Sequence, residues 1–280
     1  MISIPHWSYS AISQYLRCPL QYYFERVLKL PQPTISSSLV MGSCLHEALS
    51  EYHAGLKKND PWETDSIYSI FELQWQIRED ERKITYRIGE ARDALIAQGK
   101  ELLKLYLQQP PPKGVSEIEQ LGLANLKHDQ GTPLGKSLLA YFDLVLEWED
   151  RWRIVEFKTS QQAYSQTQVE MALQATCYLH IWNELHREPM DLEYVIFVKT
   201  KVPKLQRIVT TRSSEDFRRL GNLVALVDRA VNEKLFLPNE SPMNCSSCPY
   251  RQPCRDWGTS RHMNGSEELI TLSREIDHDD

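Results

Sequence analysis

Three residues near the middle of the chain have the types that metal-assisted chemistry requires. Asp143 stands in the segment AYFDLVLEW, and thirteen residues later IVEFKTS carries Glu156 and Lys158. On a strand, side chains two apart share a face, so Glu156 and Lys158 point together while Phe157 points the other way. A hairpin around EDRW would bring Asp143 beside Glu156. Two carboxylates and an ammonium gathered at a sheet end are costly to bury unless something neutralises them. A divalent cation would, and Mg2+ is typically held by one or two carboxylates with water and phosphate oxygens. The lysine could then position, or help deprotonate, an attacking water. The same residues equally suit an ordinary surface hairpin with a salt bridge, so they do not decide the matter alone.

Further candidates lie on either side. MALQATCYLHIW places Gln174 and Tyr178 four apart, on one helical face, and MGSCLHEAL sets His46 in a helix one turn after Gly42. Taken singly, such residues are more often structural than functional. The cysteines form a second constellation. Cys245, Cys248 and Cys254 fall within ten residues of NCSSCPYRQPC, a ligand-like spacing that leaves a tetrahedral site one short. Cys44 and Cys177 sit in helical segments and read as small buried residues. Cys18 differs, preceding a proline in the aromatic-rich LRCPLQYYF at the far end of the chain. Six cysteines and an N-terminus, MISIPHWSYS, without a secretory pattern argue against a disulfide framework. Metal ligation in a reducing, cytoplasmic setting is the expectation.

The elements that must position these groups can be read from periodicity. Ser8 or Ser10 caps a first helix, and Pro19 starts a second helical stretch rather than continuing it. A Pro/Ser-rich loop over 31–38 leads into a helix carrying His46. Two more helices follow over about 65–83 and 89–109, closed by Pro110, Pro111 and Pro112. The pattern then alternates: SEIEQLGLANL, SLLAYFDLVLEWED and RWRIVEFKTS read as strands, followed by one helix over about 166–186. The strands LEYVIFVKT and LQRIVTT, a helix over about 214–234 and the cysteine cluster complete an α/β chain. The polar tail from residue 258 is expected to be disordered.

Composition narrows the class. At 280 residues, 41% hydrophobic and 25% charged, the chain is ordinary globular protein, and no apolar run is long enough to span a membrane. A formal charge of −6 does not announce a nucleic-acid binder, although a local basic groove is compatible with it. Lys199, Lys201, Lys204, Arg207, Arg212, Arg218 and Arg219 would suit phosphate contacts or a solvated face. Trp7, Tyr9, Tyr22 and Tyr23 could stack on bases, though core packing is the commoner use.

Taken in order, SYSAISQYLRCPLQYYFERVL, MGSCLHEAL, AYFDLVLEW, IVEFKTS and QATCYLHIW resemble the PD-(D/E)XK nuclease superfamily, in its RecB-like branch. The resemblance runs almost to Trp257. It implies a restriction-endonuclease-like mixed sheet flanked by helices, within one domain over 1–257. That domain would have a helical part over about 1–112, an α/β core over about 113–237 and the cysteine cluster over 243–257. It further implies His46, Asp143 and Glu156 as ligands of Mg2+ or Mn2+, with Lys158 catalytic. Gln174 and Tyr178 would support the site and contact DNA. The family often adds an acid one strand earlier, here Glu117 or Glu119, which share a face; Glu119 is preferred. Ala140 replaces a glycine often found before the aspartate, which alters backbone freedom and not the ligand set.

Some RecB-like nucleases, the AddB-type helicase–nuclease subunits and the CRISPR-adaptation nucleases, hold a [4Fe–4S] cluster with one N-terminal and three C-terminal cysteines. Cys18, Cys245, Cys248 and Cys254 match that arrangement as a C-terminal iron–sulfur clamp, and the same four could hold Zn2+. The implied activity is metal-dependent hydrolysis of DNA, as an exonuclease on single strands or ends. Repair, recombination or CRISPR adaptation would be the setting, with a helicase or CRISPR-adaptation protein as partner. The competing readings are a silent nuclease fold kept for DNA binding or complex assembly, and a zinc-clamped interaction protein.

Overall fold

The computed structural model describes residues 6–128, 131–148, 151–188 and 190–257. The turn residues of EDRW and the acidic tail lie outside them. The chain begins with a short strand β1 (His6–Ser8), then α1 (Tyr9–Arg17), capped by the Ser8 hydroxyl, which accepts from the Ala11 N–H. Cys18, in extended conformation, ends α1, and Pro19 opens α2 (Pro19–Tyr22), which runs on into a π-helical turn over Tyr23–Val27. Pro19 offers no N–H, so the break costs the chain no additional orphan donor.

The Pro/Ser stretch contains strand β2 (Thr34–Ser36), which pairs with β3 (Lys83–Thr85); periodicity gave no sign of either. Between them run α3 (Ser37–Lys57) and α4 (Thr64–Glu81), and α5 (Arg92–Leu107) follows. The main sheet is built from β4 (Val115–Lys127), β5 (Pro133–Trp148), β6 (Arg151–Ser160), β7 (Met190–Val198) and β8 (Lys204–Thr210). β4–β5, β5–β6 and β7–β8 are antiparallel, whereas β6–β7 is parallel and needs a crossover.

That crossover reads as one helix in the sequence but folds as two, α6 (Gln166–Glu170) and α7 (Leu173–His186). The reason is tertiary. Arg212 reaches across to donate to the carbonyls of Val169 at 2.9 Å and Ala172 at 3.0 Å and to the Thr176 hydroxyl at 2.8 Å. Both carbonyls also accept a backbone N–H, from Ala172 at 3.2 Å and Thr176 at 3.4 Å, so the guanidinium adds a second, charged donor to each at the break. The chain closes with α8 (Ser214–Asn232), α9 (Pro242–Cys245) and α10 (Arg251–Trp257).

Helices cover both faces of this mixed sheet. One apolar cluster joins Val40, Leu45 and Leu49 of α3, Phe71 and Trp75 of α4 and Leu103 of α5 to Val155, Phe157, Val195 and Phe197. The other joins α1, α7 and α8 to the opposite face through Ile12, Cys177, Trp182, Val224, Ile154 and Ile196. Trp7 and Tyr22 belong to this second core, and Tyr23 stacks on Phe236 at 4.6 Å, so these three aromatics pack the fold. Cys44 and Cys177 are fully buried. Among the described residues no helix is long and apolar enough to cross a membrane.

Candidate active site at the open edge of β5 and β6

β4 takes one edge of β5 along nearly its full length, so β1 and β6 must share the other edge. β1 pairs with Ser137–Leu139, and β6 pairs only from Leu144, which faces Val155. Between them, β5 from Ala140 to Asp143 has no strand neighbour on that edge among the described residues. Beyond Val155, β6 is likewise open on that side. The site occupies this fork.

Asp143 bridges the gap with its side chain. Its Oδ2 accepts from the Phe157 N–H at 2.8 Å, replacing the ladder bond that the divergence removes. The carbonyl of the same residue is taken by His46 of α3, whose Nε2 lies 2.9 Å away. A carbonyl only accepts, so this nitrogen carries a proton, and Nδ1 is turned to Asp143 Oδ1 at 3.3 Å. The Phe157 backbone therefore holds two of the four ligand candidates from the sequence, Asp143 and His46. Its ring points away and is gripped by buried His53, stacked at 5.6 Å, and by Tyr106, edge-on at 5.5 Å. His53 in turn bonds the Tyr106 hydroxyl at 2.9 Å. Burial pushes the His53 ring down to about 4, so it packs as a neutral group.

Glu119 completes the trio on the strand opposite. Ile118 pairs with Leu144 and Gln120 with Phe142, which sets Glu119 across from Asp143. Glu119 has a left-handed backbone, φ +49°, a conformation that side chains with a Cβ seldom adopt. Its consequence is visible in the packing. Ile118 and Leu144 join the α3–α5 core, whereas Phe142, two positions from Leu144, joins the α7 core. Strand alternation thus slips at Glu119 and Asp143, which frees both carboxylates to turn into the fork. One ligand atom each from His46, Glu119 and Asp143 lies within 4.8 Å of the others. Glu117, the alternative on the same strand, instead bonds Lys57 at 2.9 Å.

Glu156 approaches from the α7 side. It is 2% exposed, and its Oε1 accepts from Lys158 Nζ at 2.6 Å and from Gln174 Nε2 at 2.7 Å. Gln174 also donates to the Tyr178 hydroxyl at 3.0 Å, so the pair on one helical face acts as a bracket for the carboxylate. Gly122 lets α7 sit this close, since a Cβ there would meet Ile181 at 2.7 Å and Phe142 at 2.9 Å. The other oxygen, Glu156 Oε2, is buried with no partner. An orphaned carboxylate oxygen of this kind is expensive, and a hard cation or its bound water would satisfy it.

The electrostatics agree. Burial disfavours charge on His46, but the hydrogen bond and charge of Asp143, with Glu156, more than offset it and raise the ring to about 9. Glu119 is pushed up to about 7, by desolvation first and by the Asp143 charge second, and its open side to water tempers that rise. Burial and the Asp143 charge likewise push Glu156 up. Burial works against the Lys158 ammonium, yet Glu156 and Asp143 hold its affinity for the proton above the usual value. Three carboxylates that repel one another around a proton-sharing histidine form a place where a divalent ion would take over from the protons.

The four remaining candidates lie elsewhere. Cys18, Cys245, Cys248 and Cys254 line a 480 Å³ cavity between the first and last helices. None of the four is in a disulfide among the described residues. The backbone N–H of Asn239 donates to Cys18 Sγ at 3.5 Å. Burial and mutual repulsion between the sulfurs push Cys248 and Cys254 up. The two chain ends are already stitched together, by Leu20 N–H to Leu237 O at 3.1 Å and Asn239 Nδ2 to Arg17 O at 2.8 Å.

The basic run does not form one patch. Arg207 pairs with Glu193 at 3.0 Å, Arg212 holds the α6–α7 break, and Arg218 pairs with Glu215. Lys199 alone of that run lines the cleft, a volume of 840 Å³ shared with His46, Glu119 and Lys158.

A model of the PD-(D/E)XK nuclease superfamily matches residues 6–255. The chain belongs to that superfamily. A crystal structure from Eubacterium rectale, a protein whose name, exonuclease, is itself provisional, shares the fold with a TM-score of 0.55. That match has 12% identity and covers 95% of this chain and 92% of the other. A second solved structure, SSO0001, aligns at 13% identity over 86% and 92% of the two chains with a TM-score of 0.33, too low to support an argument. No curated protein sequence matches the chain.

Two contributors, the Phe157 main chain and His53, were not visible in the sequence, and Lys199 stood out there only as one of seven basic residues. Phe157 acts through its main chain, which carries no residue-type signal. His53 lies about two helical turns from His46 and reads like any core residue.

Proposed function

We propose that this chain is a Mg2+- or Mn2+-dependent DNA nuclease, an exonuclease acting on single strands or DNA ends. The observation that carries the reading is the convergence of His46, Glu119 and Asp143 beside the unsatisfied Glu156 oxygen, in a fork that Lys158 also borders. His46 Nδ1 and the carboxylates of Glu119, Asp143 and Glu156 would hold the ion. Bound there, it would supply Lewis acidity toward the scissile phosphate and lower the pKa of a coordinated water.

The protein's own groups do the rest. Asp143 and His46 are fixed through Phe157, and Gln174 with Tyr178 keeps Glu156 oriented. Lys158, held cationic by Glu156, offers positive charge to the phosphate oxygens as negative charge grows in the transition state. Water adds to phosphorus, and the bond to the leaving deoxyribose oxygen breaks.

Cys18, Cys245, Cys248 and Cys254 would hold a [4Fe–4S] cluster as a structural clamp, with Zn2+ as the alternative occupant. Four thiols bordering a cavity, rather than drawn to a point, favour the larger group. DNA repair, recombination or CRISPR adaptation is the setting proposed, alongside a helicase or CRISPR-adaptation partner. The test is digestion of end-labelled DNA with Mg2+ or Mn2+ by the protein as purified. Wild type is expected to cut, and Lys158→Ala and Asp143→Ala are expected not to. Equal cutting by those variants would overturn the assignment.

A further inference from the structure

Lys199 has no evident structural work. It follows the last residue of β7 and is 9% exposed. Its N–H donates to the Ser160 carbonyl at 2.7 Å, but its ammonium has neither an ion pair nor a side-chain hydrogen bond among the described residues. Desolvation and the nearby Arg87 push its pKa down, the mark of a charge held against its preference. Burying an ammonium without a partner is unfavourable, and such a group is retained where a ligand supplies the anion.

The surroundings point to the kind of anion. Lys199 shares strand parity with Val195 and Phe197, so it faces the side of the sheet where α3 lies. Arg87 and Ser38, in the first turn of α3, line the same cleft. The first turn of a helix presents free N–H groups and the positive end of its dipole. Glu90 is the one carboxylate with an appreciable pull on Lys199, and it is already engaged, accepting from Ser37 Oγ at 2.6 Å and the Arg87 N–H at 3.0 Å. Glu47 and Glu119 also line the cleft, but Glu47 pairs with Arg78 at 3.8 Å and Glu119 belongs to the trio with His46 and Asp143. Lys199 and Arg87 against Glu90 therefore leave a single positive charge at this end, which matches a phosphodiester monoanion.

Position along the sheet fixes which phosphate. Ser160 lies two residues past Lys158 and four past Glu156, a reach of roughly 7 to 13 Å along β6. We infer that Lys199, with Arg87 and the first turn of α3, forms a second phosphate-binding subsite in the cleft, holding the backbone of the bound strand a nucleotide or two from the scissile linkage. This rests on the nuclease reading above. It makes Lys199 a positioning residue that sets how far from its end a strand is cut.

Binding of a labelled single-stranded oligonucleotide, measured in EDTA over a salt series, tests the subsite without turnover. Lys199→Met keeps the buried stem and removes the charge. It should weaken binding about five-fold and lower the slope of log K against log salt by about 0.7. Lys204→Met, an exposed member of the same basic run, should change neither. A scan with single neutral methylphosphonate linkages then locates the contact. Wild type should show a penalty at one linkage near the cutting position, and that penalty alone should vanish in Lys199→Met. An unchanged salt slope, or a scan in Lys199→Met identical to that of wild type, would refute the subsite while leaving nuclease activity standing. If wild type neither binds nor cuts DNA, the nuclease reading fails and takes the subsite with it.

Discussion

Without metal, His46 should make the protein's stability fall steeply above neutral pH. In the folded state the ring is raised from 6.5 to about 9 by Asp143 and Glu156 in spite of burial. A histidine raised on folding adds stability that is fully present below its unfolded pKa and is lost as pH rises through the folded value. The window here therefore runs from about pH 6.5 to 9. At 1.36 kcal/mol per pH unit, the rise amounts to about 3 kcal/mol. With 30% of the His46 side chain open to solvent, about 2 kcal/mol is the figure to expect.

Neighbouring groups act at other pH values. Glu119 is raised to about 7, so the stability it contributes is lost as pH climbs from 4.5 to 7, below most of the window. His53 is lowered to about 4, so its contribution is lost only as pH falls through 6.5 toward 4. Cys44 is raised to about 12 and matters only above pH 9. Urea unfolding in EDTA, at half-unit steps from pH 6 to 9.5, reads the effect. His46→Gln keeps a side-chain donor for the Phe157 carbonyl and abolishes the titration. The difference between wild type and His46→Gln should shrink by about 2 kcal/mol across the window. A difference that stays constant with pH would refute the placement of a shared proton between His46 and Asp143. Saturating Mn2+ should flatten the wild-type curve, because the ion replaces that proton.

Three further outcomes follow from particular contacts. Gln174→Leu removes a donor from Glu156 Oε1 and should cut Mn2+ affinity roughly 10- to 100-fold, seen by titration, with little change in urea midpoint. Cys18→Ala opens one corner of the cysteine cavity and should lower bound iron per chain and the unfolding temperature together; full iron occupancy would mean that another residue is the fourth ligand. Arg212→Leu strips the carbonyls of Val169 and Ala172 of their shared donor and should cost about 2 kcal/mol in chemical unfolding, independent of metal.

What the sequence made legible divides along a physical line. Candidates for side-chain chemistry, Asp143, Glu156 and Lys158, could be named from type and spacing, because alternation on β5 and β6 fixes where such side chains point, whereas His46 was singled out only by the family resemblance. What stayed hidden acts through backbone or across long separations. The choice of Glu119 over Glu117 turns on one left-handed residue and the slip it forces in alternation, and strict period-two reasoning puts both on one face. The break between α6 and α7 depends on a guanidinium forty residues away. The fork itself exists because β1, only three residues long, claims the edge of β5 at Ser137–Leu139 while β6 claims it from Leu144. A three-residue strand has no periodicity to detect, yet it leaves Asp143 with no strand partner on that edge among the described residues. Asp143 then has to find its partner in the Phe157 N–H, and that same contact carries it into reach of His46 and Glu119. The geometry of the candidate site is therefore a product of strand competition, and lengthening β1 toward Asp143 should close the fork even with every candidate ligand unchanged.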